Sequence, residues 1–349
     1  MVEAARYPRR NLWAALRDGA VWLSGPVSER GAARAFRVAV NLGGPVLHER
    51  RLAMRAHPEG RRLLDERPDL CAALGDMAAL AALPEGSLGR AYHAFMDHPE
   101  TIPGYMLSGL VYKDGWFDSI PMDAELRWAF ERWIQTHDLM HVVGGYGADL
   151  PGEGLNVYFT LGYCLGLSWL VSYWSPFGLA PRLMRPQIPR AKWLGLLRDA
   201  WQRGQAARAH LPFECVPWED LLPRPLGEAR AFIGLPPISD AARLPCPSAP
   251  STSTAAPKPD SSTPAPDPAR LPDPAYEMLS AGWRDESWFT RHLLAPDVDY
   301  DAVSGVKAAV ASGVAVRALM SADDATRREI ERLALRGEPL SRLEEALAA

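Results

Sequence analysis

Between Ala14 and about Pro236, apolar residues recur three and four positions apart, and Pro and Gly punctuate the runs. Alternation with a period of two is scarce, so the pattern predicts an all-α, multi-helix domain. Asp69 is placed to cap a helix whose apolar face is Leu70, Leu74 and Met77 and which stops before Pro84. Ser87 opens another, with Leu88, Tyr92 and Phe95 on one face, ending at His98-Pro99. Residues 99–121 read as a long aromatic loop holding Tyr105, Tyr112, Trp116 and Phe117. Asp123 caps the next helix, with Glu125 in a first turn whose dipole favours negative charge. The apolar face of that helix runs through Leu126, Phe130, Trp133 and Ile134. In the same register it continues through His137 and His141 to a break at Gly144-Gly145. Both histidines are therefore expected to point inward.

Residues 154–181 carry no charged side chain. The heart of this run, 155–174, is about long enough to cross a bilayer, and Gly162-x-x-x-Gly166 allows close helix packing. Asn156, Thr160, Ser168, Ser172 and three tyrosines argue instead for a buried helix lining an apolar lipid pocket. Helices over 191–209 and after Pro217 and Pro225 complete a domain assigned to residues 1–240. Ten of the 30 residues in 245–274 are proline, a composition that makes an extended, flexible linker. Residues 275–349 read as a small helical accessory module. Within it, 302–319 is rich in Ala and Val, and Ser321 with Asp324 caps a helix carrying Ile330 and Leu333. Gly337 and Pro339 break that helix ahead of a last short one.

Composition changes this picture little. At 349 residues the chain has room for about two domains. Its net charge is −4, but the first 62 residues hold 12 Arg against 5 acidic residues. With no unbroken basic run, that excess reads as a solvated surface before it reads as an anionic-lipid surface, and it points to no nucleic acid. Cys71, Cys164, Cys215 and Cys246 form no C-x-x-C pair and fit a reducing compartment. The N-terminus lacks the apolar core of a signal peptide, and Glu3, Asp18 and scarce Ser argue against a transit peptide.

The candidate chemistry lies in Thr136-His137-Asp138-Leu139-Met140-His141, with Glu153 twelve positions on. At about 100° per residue, His137 and His141 stand about 40° apart on a helix and Asp138 falls in the same arc. A divalent ion over that face could take both imidazoles, with Asp138 as third ligand or as a supporting partner and Glu153 closing the site. Imidazole with carboxylate suits Zn, Fe, Mn or Co. The plainer reading is a satisfied core pair of histidines. A metalloprotease would need Glu where Asp138 stands. An HD-type phosphohydrolase would draw on His93 or His98 and Asp149. His48 and His57 read as surface residues, and His210 and His292 have no carboxylate at a suggestive spacing.

H-D-x-x-H followed by eleven residues and Glu resembles the signature of the coenzyme Q biosynthesis protein 4 family. Pro58-Glu59-Gly60-Arg61-Arg62, Leu83 through Tyr92 with Phe95-Met96, Trp218 through Leu222, Pro225-Leu226 and Ile233-Gly234-Leu235 are similar to other stretches of that family. The resemblance covers about 14–236. It implies an all-helical protein bound peripherally to a membrane. The membrane would be the inner face of a bacterial membrane, with the protein cytoplasmic, or the matrix side of the mitochondrial inner membrane. It implies a divalent metal (Zn, or Fe, Mn, Co or Mg) at His137, Asp138, His141 and Glu153. It also implies a role in ubiquinone synthesis: oxidative decarboxylation at C1 of a polyprenylated hydroxybenzoate, organisation of the biosynthetic complex, or both. The partners so implied are a prenylated aromatic lipid, other quinone-biosynthesis enzymes and the membrane surface, and a homo-oligomer stays open. A non-catalytic prenyl-lipid scaffold with a structural metal is the alternative, and the HD-type hydrolase is third. Where the family carries an Arg and an acidic residue ahead of Thr-His-Asp, this chain has Ile134 and Gln135. The linker and tail fall outside the family pattern.

Overall fold

The computed structural model describes residues 6–24, 29–96, 116–146, 150–164, 190–236 and 300–348. These residues are helical, as the periodicity predicts, and the one extended pairing among them is an isolated bridge between Ser87 and Pro225. Helices α1 (Leu12–Ser24) and α2 (Glu29–Ala56) pack on each other. Helix α3 (Pro58–Glu66) starts with Pro58, which lacks the N–H a first turn leaves unpaired, while the His57 ring accepts from the Glu59 N–H. The helix expected after Asp69 is two helices, α4 (Leu70–Gly75) and α5 (Met77–Ala82). The break is at Asp76. Its carboxylate accepts the Ala79 N–H at 2.8 Å, and a second cap inside an apolar run competes with helix continuation.

Helix α6 (Leu88–Met96) begins as expected, with the Arg90 N–H donating to Ser87 Oγ. It ends at Met96, and residues 97–115, most of the expected aromatic loop, lie outside the described residues. Within that expected loop, α7 (Trp116–Ser119) is a helical turn. Phe117, Ile120 and Met122 bury themselves with Val40, Leu47, Leu126, Phe130 and Ile134. Apolar contact, not local propensity, orders this stretch.

Asp123 caps α8 (Ala124–Gln135) by accepting the Leu126 N–H at 2.9 Å. Helix α9 (His137–Gly144) follows after Thr136, whose backbone is itself right-handed helical (φ −76, ψ −7). The Trp133-His137-His141 register therefore passes the boundary intact. Helix α10 (Leu150–Cys164) packs against α11 (Arg190–His210) at close range. A Cβ at Gly162 would meet the Trp201 carbonyl oxygen at 2.1 Å, and one at Gly204 would meet that of Phe159 at 2.1 Å. The small-residue spacing read from Gly162 thus serves a helix pair. Gly166, like the rest of 165–189, lies outside the described residues, so the lipid-pocket expectation for that run does too. Among the described residues no helix is long and apolar enough to cross a membrane.

A 3-10 turn (Phe213–Cys215), α12 (Trp218–Leu221) and α13 (Leu226–Phe232) close the main core around Trp218, Tyr92, Leu88 and Leu64. Each such buried side chain contributes about 1.5–3 kcal/mol. Exposed pairs such as Arg62–Glu66 contribute ~0–1 kcal/mol. The apolar core therefore carries the fold.

Residues 245–274, read as a linker, are outside the described residues. Beyond them α14 (Tyr300–Ala311), α15 (Val316–Ser321), α16 (Asp324–Leu335) and α17 (Leu340–Ala348) share an apolar cluster with Cys71. The cap of α16 is Asp323, not Ser321. Its carboxylate accepts from the Ala325 and Thr326 N–H groups, while Ser321 still belongs to α15.

Candidate metal centre

Helix α9 is short, and its C-terminal end is held from outside. Gly145 turns left-handed (φ 74) and its N–H donates to the His141 carbonyl, as does that of Tyr146. Two arginines cover the remaining C-terminal carbonyls. Arg203 donates to Gly144 O at 2.9 Å, to Pro236 O and to Tyr146 Oη at 2.6 Å. Arg230 donates to Val143 O and Val142 O at 2.9 and 3.3 Å. Cations suit a helix C-terminus, where the dipole is negative and carbonyls lack partners. Arg132 on α8 binds Glu219 through two bonds of 2.5 and 2.7 Å and donates to Val216 O, tying α8 to α12.

On this frame His141 is buried and His137 half-buried. The inward orientation expected from register holds fully for His141 and partly for His137. His141 Nδ1 lies 3.2 Å from the Tyr146 carbonyl. An oxygen of that kind only accepts, so Nδ1 carries a proton, and in the uncharged tautomer the lone pair is at Nε2. That Nε2 is 3.3 Å from His137 Nε2, with the rings 4.9 Å apart and at 77°. Phe95 stacks on His141 at 5.4 Å, which limits ring rotation. Asp138 is buried beside the pair in sequence.

The donor set can be tested against the expected ion. Two nitrogens on one tetrahedral zinc, each at ~2.0–2.1 Å, stand about 3.3 Å apart. The observed separation of 3.3 Å matches, and the Tyr146 bond is the outer hydrogen bond that metal-ligating histidines make. Without an ion, the same distance is a hydrogen bond donated by His137 Nε2. Among the described residues no three His, Cys, Asp or Glu side chains form a cluster able to hold an ion. Glu153 lies on the first turn of α10, and its side chain is outside the described set. The HD-type residues His98 and Asp149 are outside it too, and His93 stands on α6.

Other candidates resolve structurally. His57 caps α3, and His48 stacks on Tyr7 at 4.3 Å and lies 2.8 Å from Arg51. Both are half-buried and keep a face toward solvent, as a surface reading expects, while serving local structure. Burial pushes the Cys164 and Cys215 thiols up to about 12, against a smaller pull from Arg50 on Cys164. Neither offers a thiolate nucleophile at neutral pH. Arg203, Arg230 and Arg50 were not legible as site supports. Their one sequence trace is an Arg inside a helix that otherwise packs in register.

The family model for "Coenzyme Q (ubiquinone) biosynthesis protein Coq4" matches residues 27–239. A mitochondrial ubiquinone biosynthesis protein COQ4 homolog of Aedes aegypti is 29% identical over 194 residues, covering 55% of this chain and 65% of that protein. Its Xenopus laevis counterpart is 30% identical, covering 57% and 64%. The Homo sapiens homolog is 33% identical over 100 residues, covering 29% and 34%. The chain thus spans just under two thirds of the length of the first two. With the match extending over more than half of its residues, from α1–α2 past α13, the chain belongs to the Coenzyme Q (ubiquinone) biosynthesis protein Coq4 family.

Proposed function

We propose that the chain acts in ubiquinone biosynthesis as a metal-dependent oxidative decarboxylase of a polyprenylated hydroxybenzoate. A divalent ion would be held by His137 and His141, with Asp138 and Glu153 as the carboxylates. The observation that carries this reading is the facing Nε2 pair at 3.3 Å with the His141 tautomer set by Tyr146. When bound, the ion supplies Lewis-acid stabilisation of negative charge on the substrate. The rest of the work falls to the chain. Tyr146 and Phe95 hold the His141 ring, and Arg203 and Arg230 hold the helix that presents it. Replacement of the ring carboxylic acid group by hydroxyl releases carbon dioxide; with water supplying the oxygen, it also releases two protons and gives two electrons to an oxidant from outside the protein.

The membrane surface enters through α1. Leu12, Trp13 and Leu16 are exposed at 61%, 84% and 66%, beside exposed Arg9, Arg10 and Arg17. Apolar side chains flanked by arginine suit an anionic lipid interface. The reading places the protein on the quinone-synthesising membrane among other enzymes of that pathway.

The test compares wild type with His141→Ala by elemental analysis of the purified protein and by quinone content of a complemented knockout. Bound metal and quinone should both fall by about tenfold or more, the usual cost of losing a coordinating group or its support. Equal metal content in the two proteins sinks the site. Lost metal with undiminished quinone would favour a scaffold with a structural ion.

A further inference from the structure

A row of polar side chains on α10 has no hydrogen-bond partner among the described residues. Asn156 is fully buried, and neither Oδ1 nor Nδ2 meets a hydrogen-bonding group among the described residues. Thr160 Oγ1 and Tyr163 Oη are in the same condition. The i, i+4, i+7 spacing sets the three on one stripe. On α8, Trp133 Nε1, one turn before His137, is also buried and unpartnered. An unpaired buried donor or acceptor is costly, and native cores hold few. Four of them on α8 and α10, which both pack on α9, mark a place made for something other than protein.

The packing says where the row faces. Helix α11 covers the Gly162 side of α10, roughly opposite Thr160 on the helix. Helix α9 packs on α10 as well. At the far end, the Arg50 guanidinium lies 4.6 Å over the Trp133 ring and 5.7 Å over the Phe213 ring, which packs edge-on against Tyr163 at 5.5 Å. The stripe Trp133–His137–His141 and the stripe Asn156–Thr160–Tyr163 therefore border one region.

We propose that the α10 row recognises a neutral oxygen substituent, a phenolic hydroxyl or alkoxyl, on an aromatic ligand whose acidic group sits at the His137–His141 pair. This rests on reading that pair as the substrate site. An amide and two hydroxyls can each donate and accept, which is what a hydroxyl needs. The row contains no cation, and the charge of Arg50 at its end is balanced by Glu214 although its Nη2 keeps no hydrogen-bond partner, so a second anionic group would be buried without a counter-charge of its own. The row thus selects among ring-bearing lipids by their oxygenation.

The experiment measures binding of 3-geranyl-4-hydroxybenzoate and of 3-geranylbenzoate, which lacks the hydroxyl, to the full chain by calorimetry. Wild type should prefer the hydroxylated probe by about tenfold or more, since a site that pairs with a hydroxyl rejects the analogue without one. Asn156→Leu and Thr160→Val should each flatten that ratio while keeping affinity for 3-geranylbenzoate. Unliganded Asn156→Leu should melt no lower than wild type, because leucine removes an unpaired amide. If that variant does not fold, Thr160→Val carries the test. Equal wild-type binding of both probes overturns the inference and leaves the proposed function standing; binding of neither overturns both. Variants that keep the full preference show that core water fills the row, and the inference falls.

Discussion

Between Arg132 and Glu214 the buried set includes Arg132, Gln135, Thr136, Asp138, His141, Asn156, Arg203 and Glu214. In α14–α17 it is Val306, Ala309, Val310, Val314, Val316, Leu319, Ile330, Ala334 and Leu343, with Glu331 the single buried charged residue among those described. The first region needs a partner for nearly every buried group and finds most of them: Glu219 for Arg132, three oxygens for Arg203, Arg50 for Glu214. The second needs mainly shape, with Arg327 the partner of its one buried charge. A chain selected for stability alone would fill both with hydrocarbon, so the costlier region is the one shaped by function.

The comparison breaks most readily at Arg203. Arg203→Met keeps the volume but strands Gly144 O, Pro236 O and Tyr146 Oη, and should destabilise by about 3 kcal/mol or more. Urea unfolding measures it, and a loss under ~1 kcal/mol would mean the polar region is no more demanding than the module. Gly75→Leu probes the apolar side. A Cβ there would meet Val316 Cγ2 at 2.4 Å, so overpacking should cost about 1–3 kcal/mol and loosen α15 from α4. Hydrogen exchange should rise in 300–348 and not in α8–α10. Asp76→Ala, at the seam between them, removes the cap of α5 for about 1 kcal/mol. A cap worth nothing would show up as an unchanged thermal midpoint.

The smallest effect is one of pH. Burial acts to raise the Asp123 carboxyl, but the Leu126 N–H and the Arg51 guanidinium outweigh it, and the net position is below the ordinary value. A depressed folded-state pKa gives stability present above the unfolded value, ~3.9, and lost as pH falls through the folded one. Asp123→Asn retains the cap and should flatten stability against pH below about 4. An unchanged acid limb in titrated melts would remove Asp123 from the balance.

Amphipathic spacing made the helices readable, because burying one face is a local property of the chain. Asp69, Ser87 and Asp123 announced their helices for the same reason: a cap bonds residues two or three positions away. The reading slipped where two local signals competed. Asp76 split one apolar run, and Asp323 displaced Ser321 one helix later. Trp116–Ser119 was read as loop because its order comes from Val40 and Phe130, distant in sequence.

For the site, spacing alone placed His137, Asp138 and His141 on one helical arc. Tertiary structure decided what spacing cannot. It set the His141 proton on Nδ1 through Tyr146 O, and stacked Phe95 on the ring. It drew Arg203 and Arg230, roughly 60 and 90 residues on, to the end of α9. It also buried the polar atoms of Asn156, Thr160 and Tyr163 with no hydrogen-bond partner among the described residues. Helical periodicity follows from bonds four residues apart, so the chain carries it unaided. A hydrogen bond between distant residues exists only once the helices have packed.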